Sequence, residues 1–244
     1  MGLTLVQNLL TLISAGLGAL LAISIGVSHR QLCAMISFAA GTLLGATFFH
    51  ILPDAWPILP FSTIIIALAS GYGLFFVISR YVFHVCPACA ASHFEEQPAT
   101  KLRSLFILLA IALSIHSTMD GIAVALGGAL ESNRGHSIFF TILIHKLPEG
   151  LALCALLMRA GYEKKKAFAG TLLLEMSTLL GWFIGVFLLK SFSASHWLDL
   201  LVVHIGGGFV YLALHAALGE AEEHSPRFVF LFFLTGMILM GWVG

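Results

Sequence analysis

The run RSLFILLAIALSIHSTMDGIAVALGGAL, residues 103–130, is apolar for longer than the roughly 20 residues that a helix needs to cross a bilayer, yet its middle holds His116 and Asp120. The run SIFFTILIHKLPEGLALCALLM, residues 137–158, repeats the pattern with His145, Lys146 and Glu149. Each reads His, three residues, a carboxylate, then Gly: His116 to Asp120 and Gly121, His145 to Glu149 and Gly150. In a helix, positions i and i+4 share a face, about 6 Å apart, so each run presents an imidazole stacked beside a carboxylate. Ionisable groups at this depth cost several kcal/mol unless paired and are functional candidates by default.

The composition of the whole chain agrees with a membrane protein. Of 244 residues, 59% are hydrophobic and 10% charged, and the mean hydropathy is +0.99. A soluble domain of this size would carry about 25% charge. Twelve basic residues balance twelve acidic ones, which leaves no basic footprint for nucleic acid. Four scattered cysteines do not form a disulfide framework. The first apolar run has no basic residue before it and no small-residue cleavage pattern after it, so it is expected to be a retained helix.

Runs bounded by charge, Pro and Gly predict eight spans in one transmembrane domain, at about 3–27, 33–53, 61–84, 103–130, 137–158, 166–190, 198–218 and 227–243, with a short loop at 85–100. Alternating the sides puts Arg30, Arg80, Lys101, Arg103, Arg159, Lys164, Lys165, Lys166 and Arg227 together, against Arg134 and Lys190. The richer side is expected in the cytoplasm, with both termini outside. Glycines at 41 and 45, 181 and 185, and 206 to 208 read as helix-packing residues.

If the two His and carboxylate faces meet, they form a cage of two nitrogens and two carboxylates, which suits divalent first-row metals such as Zn2+, Fe2+ or Mn2+. Cys154 falls about 140° round the helix from Glu149 and is expected to pack elsewhere. Pro148 removes one backbone donor and frees the carbonyl of Ile144, as in helices that break around polar cavities. Glu175, in LLLEMST, is either a further metal ligand or an ion-pair partner for Lys146. Three carboxylates and one ammonium leave a formal charge of minus two, which one divalent ion neutralises. His204 reads as a hydrogen-bonding residue between helices, and Ser117 either as a site residue or as a bond to its own backbone.

On these motifs the chain resembles the ZIP family of divalent metal transporters along essentially its whole length. FAAGTLLGATFFHILPDA, residues 38–55, is similar to the family's second helix, and GGGFVYLALHAALGEA, residues 206–221, to its seventh. The resemblance implies eight helices in a 3+2+3 arrangement, with spans 1–3 and 6–8 as inverted repeats around spans 4 and 5, which hold the metal. It further implies alternating access, with zinc or a similar ion (Fe2+, Mn2+ or Cd2+) moved into the cytoplasm across a plasma (inner) membrane. The metal is cargo, no cofactor is expected, and a homodimer is left open. Lys146 stands where a second-site carboxylate can occur and Ser117 where an Asn can occur, so a single ion is expected, with Lys146 as the charge substitute for a second. Asp120 and Met119 replace the Glu and Pro common in the fourth helix.

Further ligands mark both ends of the expected path. His50 and Asp54, an i and i+4 pair, are candidates for the outer mouth, and His215, Glu220, Glu222 and Glu223, followed by His224, for the inner one. In the short loop, Cys86 and Cys89 with His84 and His93 have metal-ligand spacing, a weak signal because only one CxxC is present. A different class, an intramembrane zinc hydrolase using His116, Ser117 and Asp120, is the alternative; it would need an open coordination position and a base, but no ligands at both faces.

Overall fold

The structure is a computed structural model that describes residues 2–25, 28–83, 99–129, 132–191 and 195–242. The described residues are mostly helical and contain no strand. In chain order the helices are α1 (Gly2–Ile25), α2 (His29–Ala46), α3 (Leu52–Ala55), α4 (Phe61–Val77), α5 (Ala99–Gly127), α6 (Ser132–Arg159), α7 (Lys164–Glu175), α8 (Ser177–Ser191), α9 (Ser195–Glu223) and α10 (Pro226–Trp242). Six continuous helical stretches are long and apolar enough to cross a membrane, and Pro226–Trp242 is a shorter apolar helix.

Burial is inverted relative to a water-soluble bundle. Along α1, Thr4, Asn8, Thr11, Ser14, Ala15 and Gly18 face the interior at helical spacing, while Leu3, Val6, Leu10, Ile13 and Leu17 point outward. The same holds on α8 and α10, where Phe183, Phe187, Phe230 and Ile238 are exposed. Large apolar groups outside and small or hydroxyl-bearing groups inside are stable only where the surroundings are hydrocarbon. Inward polar groups tie α1 to other helices: Ser14 Oγ donates to the Leu143 carbonyl at 2.8 Å, and Trp182 Nε1 to Thr4 Oγ1 at 3.0 Å.

Four helix pairs are clasped in the same way. A Cβ at Gly121 would collide with the carbonyl of Thr178, and one at Gly181 with that of Thr118, so α5 and α8 approach at backbone distance. Gly150 and Gly18 make the same exchange with Ala15 and Leu147, joining α6 to α1. Gly41 with Phe233 and Gly236 with Phe38 join α2 to α10; Gly71 with His204 and Gly207 with Leu68 join α4 to α9. In every case the glycine lies three residues after the carbonyl that meets the partner glycine. Further along, Gly45 meets Met237 and Met240, and Gly185 meets Ile122 and Ala125, so contacts advance together on both helices of each pair and these helices run parallel.

Local irregularities have local causes. Ser28 caps α2 in a capping box with Gln31. Pro53 would clash with the carbonyl of Phe49, and the π-helical turn Thr47–Ile51 just before it relieves the clash. Gly161, at φ 91°, ends α6, with the Tyr162 N–H donating to the Leu157 carbonyl at 3.1 Å, a Schellman closure. Pro148, expected where a helix might break, lies instead inside continuous α6. The break falls at Met176, directly after Glu175, where Ser177 Oγ donates to the Leu174 carbonyl at 2.7 Å.

Candidate metal centre

The repeated faces of α5 and α6 meet in the interior of the bundle. His116 Nε2 lies 3.6 Å from Asp120 Oδ2 and 3.8 Å from Glu149 Oε2. His145 Nε2 lies 3.3 Å from Asp120 Oδ2 and 3.9 Å from Glu149 Oε2. One ligand atom from each of the four residues falls within 4.8 Å of all the others. Their side chains are 0 to 11% exposed, so water supplies little of their solvation.

The hydrogen bonding of His145 suits this cluster to a metal ion. Its Nδ1 lies 3.0 Å from the Thr141 carbonyl one turn earlier, and a carbonyl oxygen only accepts, so Nδ1 carries the proton. In the neutral imidazole Nε2 then holds a lone pair, 3.3 Å from Asp120 Oδ2. Two facing lone pairs repel unless a metal ion or a second proton stands between them. Asp120 Oδ1 is also buried, with no hydrogen-bond partner among the described residues.

Lys146, fully buried, anchors the other side. Its Nζ lies 2.9 Å from Glu149 Oε2, 3.0 Å from Asp120 Oδ2 and 3.0 Å from Glu175 Oε2, and donates to Ser117 Oγ at 2.6 Å. Ser117 Oγ is 3.2 Å from Glu149 Oε1 and 3.3 Å from Glu175 Oε2, so its hydroxyl serves these carboxylates. The Glu175 carboxylate stands on the ammonium and lies outside the group of four ligand atoms. Cys154 is wholly buried in the apolar core and belongs to no ligand group.

The peripheral candidates divide. His50 Nε2 is bonded to the Met240 carbonyl at 2.7 Å, and His50 with Asp54 joins no third ligand among the described residues. His50 does line a small cavity with Asp199, a residue that sequence reading passed over because it stands alone in its run. At the other end of α2 and α9, Glu220 groups with His224 and Cys33, and Cys33 too went unread. His215 is stacked on Tyr211 and bonded to its carbonyl at 3.2 Å, outside that group. Glu222 is exposed, and the side chain of Glu223 lies outside the described residues. So do His84, Cys86, Cys89 and His93. His204 Nδ1 lies 2.8 Å from Ser70 Oγ, a bond between helices.

A bundle with apolar groups outside and a buried His and carboxylate cluster inside is that of an integral membrane protein with a candidate metal centre. The family model of the ZIP zinc transporter matches residues 84–244, and the chain belongs to that family. It is 27% identical over 244 residues to the zinc transporter ZupT of Streptococcus mutans, covering 93% of this chain and 91% of that one. It is 26% identical over 251 residues to the zinc transporter ZIP13 of Danio rerio, covering 81% and 71%. An uncharacterised protein of Methanocaldococcus jannaschii is 28% identical over 234 residues, covering 96% and 93%.

Proposed function

We propose that this chain is a transporter that moves zinc, or a similar divalent first-row ion, into the cytoplasm through one metal centre made by His116, Asp120, His145 and Glu149. The observation that carries the proposal is the meeting of His145 Nε2 and Asp120 with His116 and Glu149 in one buried cluster of four ligand atoms. Glu175 and Lys146 complete the electrostatics. Three carboxylates and one ammonium sum to minus two, which one divalent ion cancels, so Lys146 takes the part of a second cation. The hydrolase alternative gains nothing from Ser117, whose hydroxyl meets Lys146, Glu149 and Glu175.

We propose further that the eight spans form one domain of 3+2+3 inverted repeats that alternates access, with both termini outside a plasma (inner) membrane. The clasps support the repeat. Exchanging spans 1–3 with 6–8, and 4 with 5, turns the Gly18 and Gly150 clasp into that of Gly181 and Gly121, and the Gly41 and Gly236 clasp into that of Gly207 and Gly71. The parallel runs of α2 with α10 and of α5 with α8 support the alternation of sides. His50 and Asp54, with Asp199, would then collect ions outside, and Glu220 would lie on the cytoplasmic exit. The test is uptake by proteoliposomes offered a panel of divalent ions. Zinc accumulation above protein-free vesicles is expected, and its absence for every ion would overturn the reading.

A further inference from the structure

Cys33, in the first turns of α2, and Glu220 and His224, at the end of α9, lie together at one end of the molecule, away from the four-residue centre. One ligand atom from each, a sulfur, a carboxylate oxygen and a ring nitrogen, falls within 4.8 Å of the other two. Cys33 and Glu220 are each 1% exposed. Glu220 Oε2 lies 3.5 Å from His224 Nδ1, and the His224 N–H still donates to the Glu220 carbonyl at 2.9 Å, which holds the imidazole over the carboxylate. The His224 side chain is 15% exposed, so the group is closed on the protein side and open at the imidazole. Asp54 stands 21 positions beyond Cys33 on the α2 and α3 stretch, roughly 30 Å away at helical rise and thus about one hydrocarbon thickness.

We infer that Cys33, Glu220 and His224 form a second metal site, a three-ligand position for a thiophilic divalent ion such as zinc or cadmium. Three facts favour it. A mixed sulfur, oxygen and nitrogen set fits tetrahedral zinc with one position left for water or a passing donor. The carbonyl end of α9 carries partial negative charge and favours a cation. Thiolate selects zinc and cadmium over manganese, which prefers oxygen. As the ion binds, the Cys33 S–H bond breaks, sulfur keeps the electron pair and bonds the metal, and the proton leaves to water. With thiolate and carboxylate ionised and His224 neutral, the site charge is minus two, and the bound ion cancels it. The position of this site on the exit side rests on the transport reading; the binding itself does not.

The test uses the full chain with Cys86, Cys89 and Cys154 changed to Ser, leaving Cys33 as its sole thiol. Cadmium is titrated into the purified protein, and the ultraviolet thiolate-to-metal charge-transfer band is followed. The band is expected to reach the amplitude of one thiolate-bound cadmium per chain, to vanish on adding Cys33→Ser, and to persist in His145→Ala. His224→Ala or Glu220→Gln should weaken it at least tenfold, since losing even an outer-shell partner costs roughly 10- to 100-fold in affinity. If the serine-substituted chain does not fold, the same difference is read between the unchanged chain and its Cys33→Ser variant. A missing band, or one indifferent to His224→Ala and Glu220→Gln, would overturn the site while leaving the central centre untouched. Loss of the central metal in His145→Ala with the band retained would separate the two sites.

Discussion

Lys146 Nζ lies 3.0 Å from Glu175 Oε2, with both side chains withdrawn from solvent on the consecutive helices α6 and α7. The pair sets the charge of the central pocket. Changing Lys146 to Asp would make the formal charge minus four, enough for two divalent ions. Metal analysis or anomalous scattering should show two ions at the α5 and α6 centre in the variant against one in the parent. Two in the parent would refute the part given to Lys146.

Glu175 as counter-ion and Glu149 as ligand predict different outcomes for the same chemical change. Glu175→Gln keeps an oxygen on Lys146 and should retain one zinc at the central site with moderately altered affinity. Glu149→Gln removes a charged ligand and should weaken central zinc binding at least tenfold, by analogy with the roughly 10- to 100-fold cost of disturbing an outer shell. Isothermal titration of both variants checks this, and equal losses would return Glu175 to the ligand set.

The clasps make glycine identity a folding requirement. Gly121→Val or Gly150→Val drives a side chain into a neighbouring carbonyl and should cost at least the roughly 1–3 kcal/mol typical of overpacking. Gly73, with nothing within 4 Å of an added Cβ, should accept Ala within about 0.5 kcal/mol. Thermal unfolding in detergent distinguishes them, and equal shifts would contradict the clasp.

Protons and metal compete for the same lone pairs. An imidazole must be neutral and a carboxylate ionised before either coordinates, so affinity and uptake should fall as pH drops, and binding should release protons. The change should fall between about pH 5 and 8, where histidine ordinarily titrates. A zinc dissociation constant that stays flat over that range would contradict it.

The membrane class and the partners within each helix were legible in the chain itself. His116 with Asp120 and His145 with Glu149 are written at helical spacing, and a buried lysine among apolar residues announces a need for carboxylates. What could not be read depends on how helices cross. Whether Glu175 meets metal or ammonium is decided by the approach of α7 to α6. Cys33 looks like a small core residue until α9 brings Glu220 and His224 to it. His50 looks free until α10 offers the Met240 carbonyl. The helix break was expected from Pro148 because proline lacks a donor, yet it falls at Met176, which no residue type signals. The glycines could be read as packing residues, but not which helices they join.

The most direct test of the central claim is radiolabelled zinc flux into proteoliposomes holding the parent, His145→Ala or Glu149→Ala, with folding of each checked by its elution profile and helical signal. The account predicts saturable influx for the parent and influx at the level of protein-free vesicles for both variants. Undiminished flux in either folded variant would contradict it.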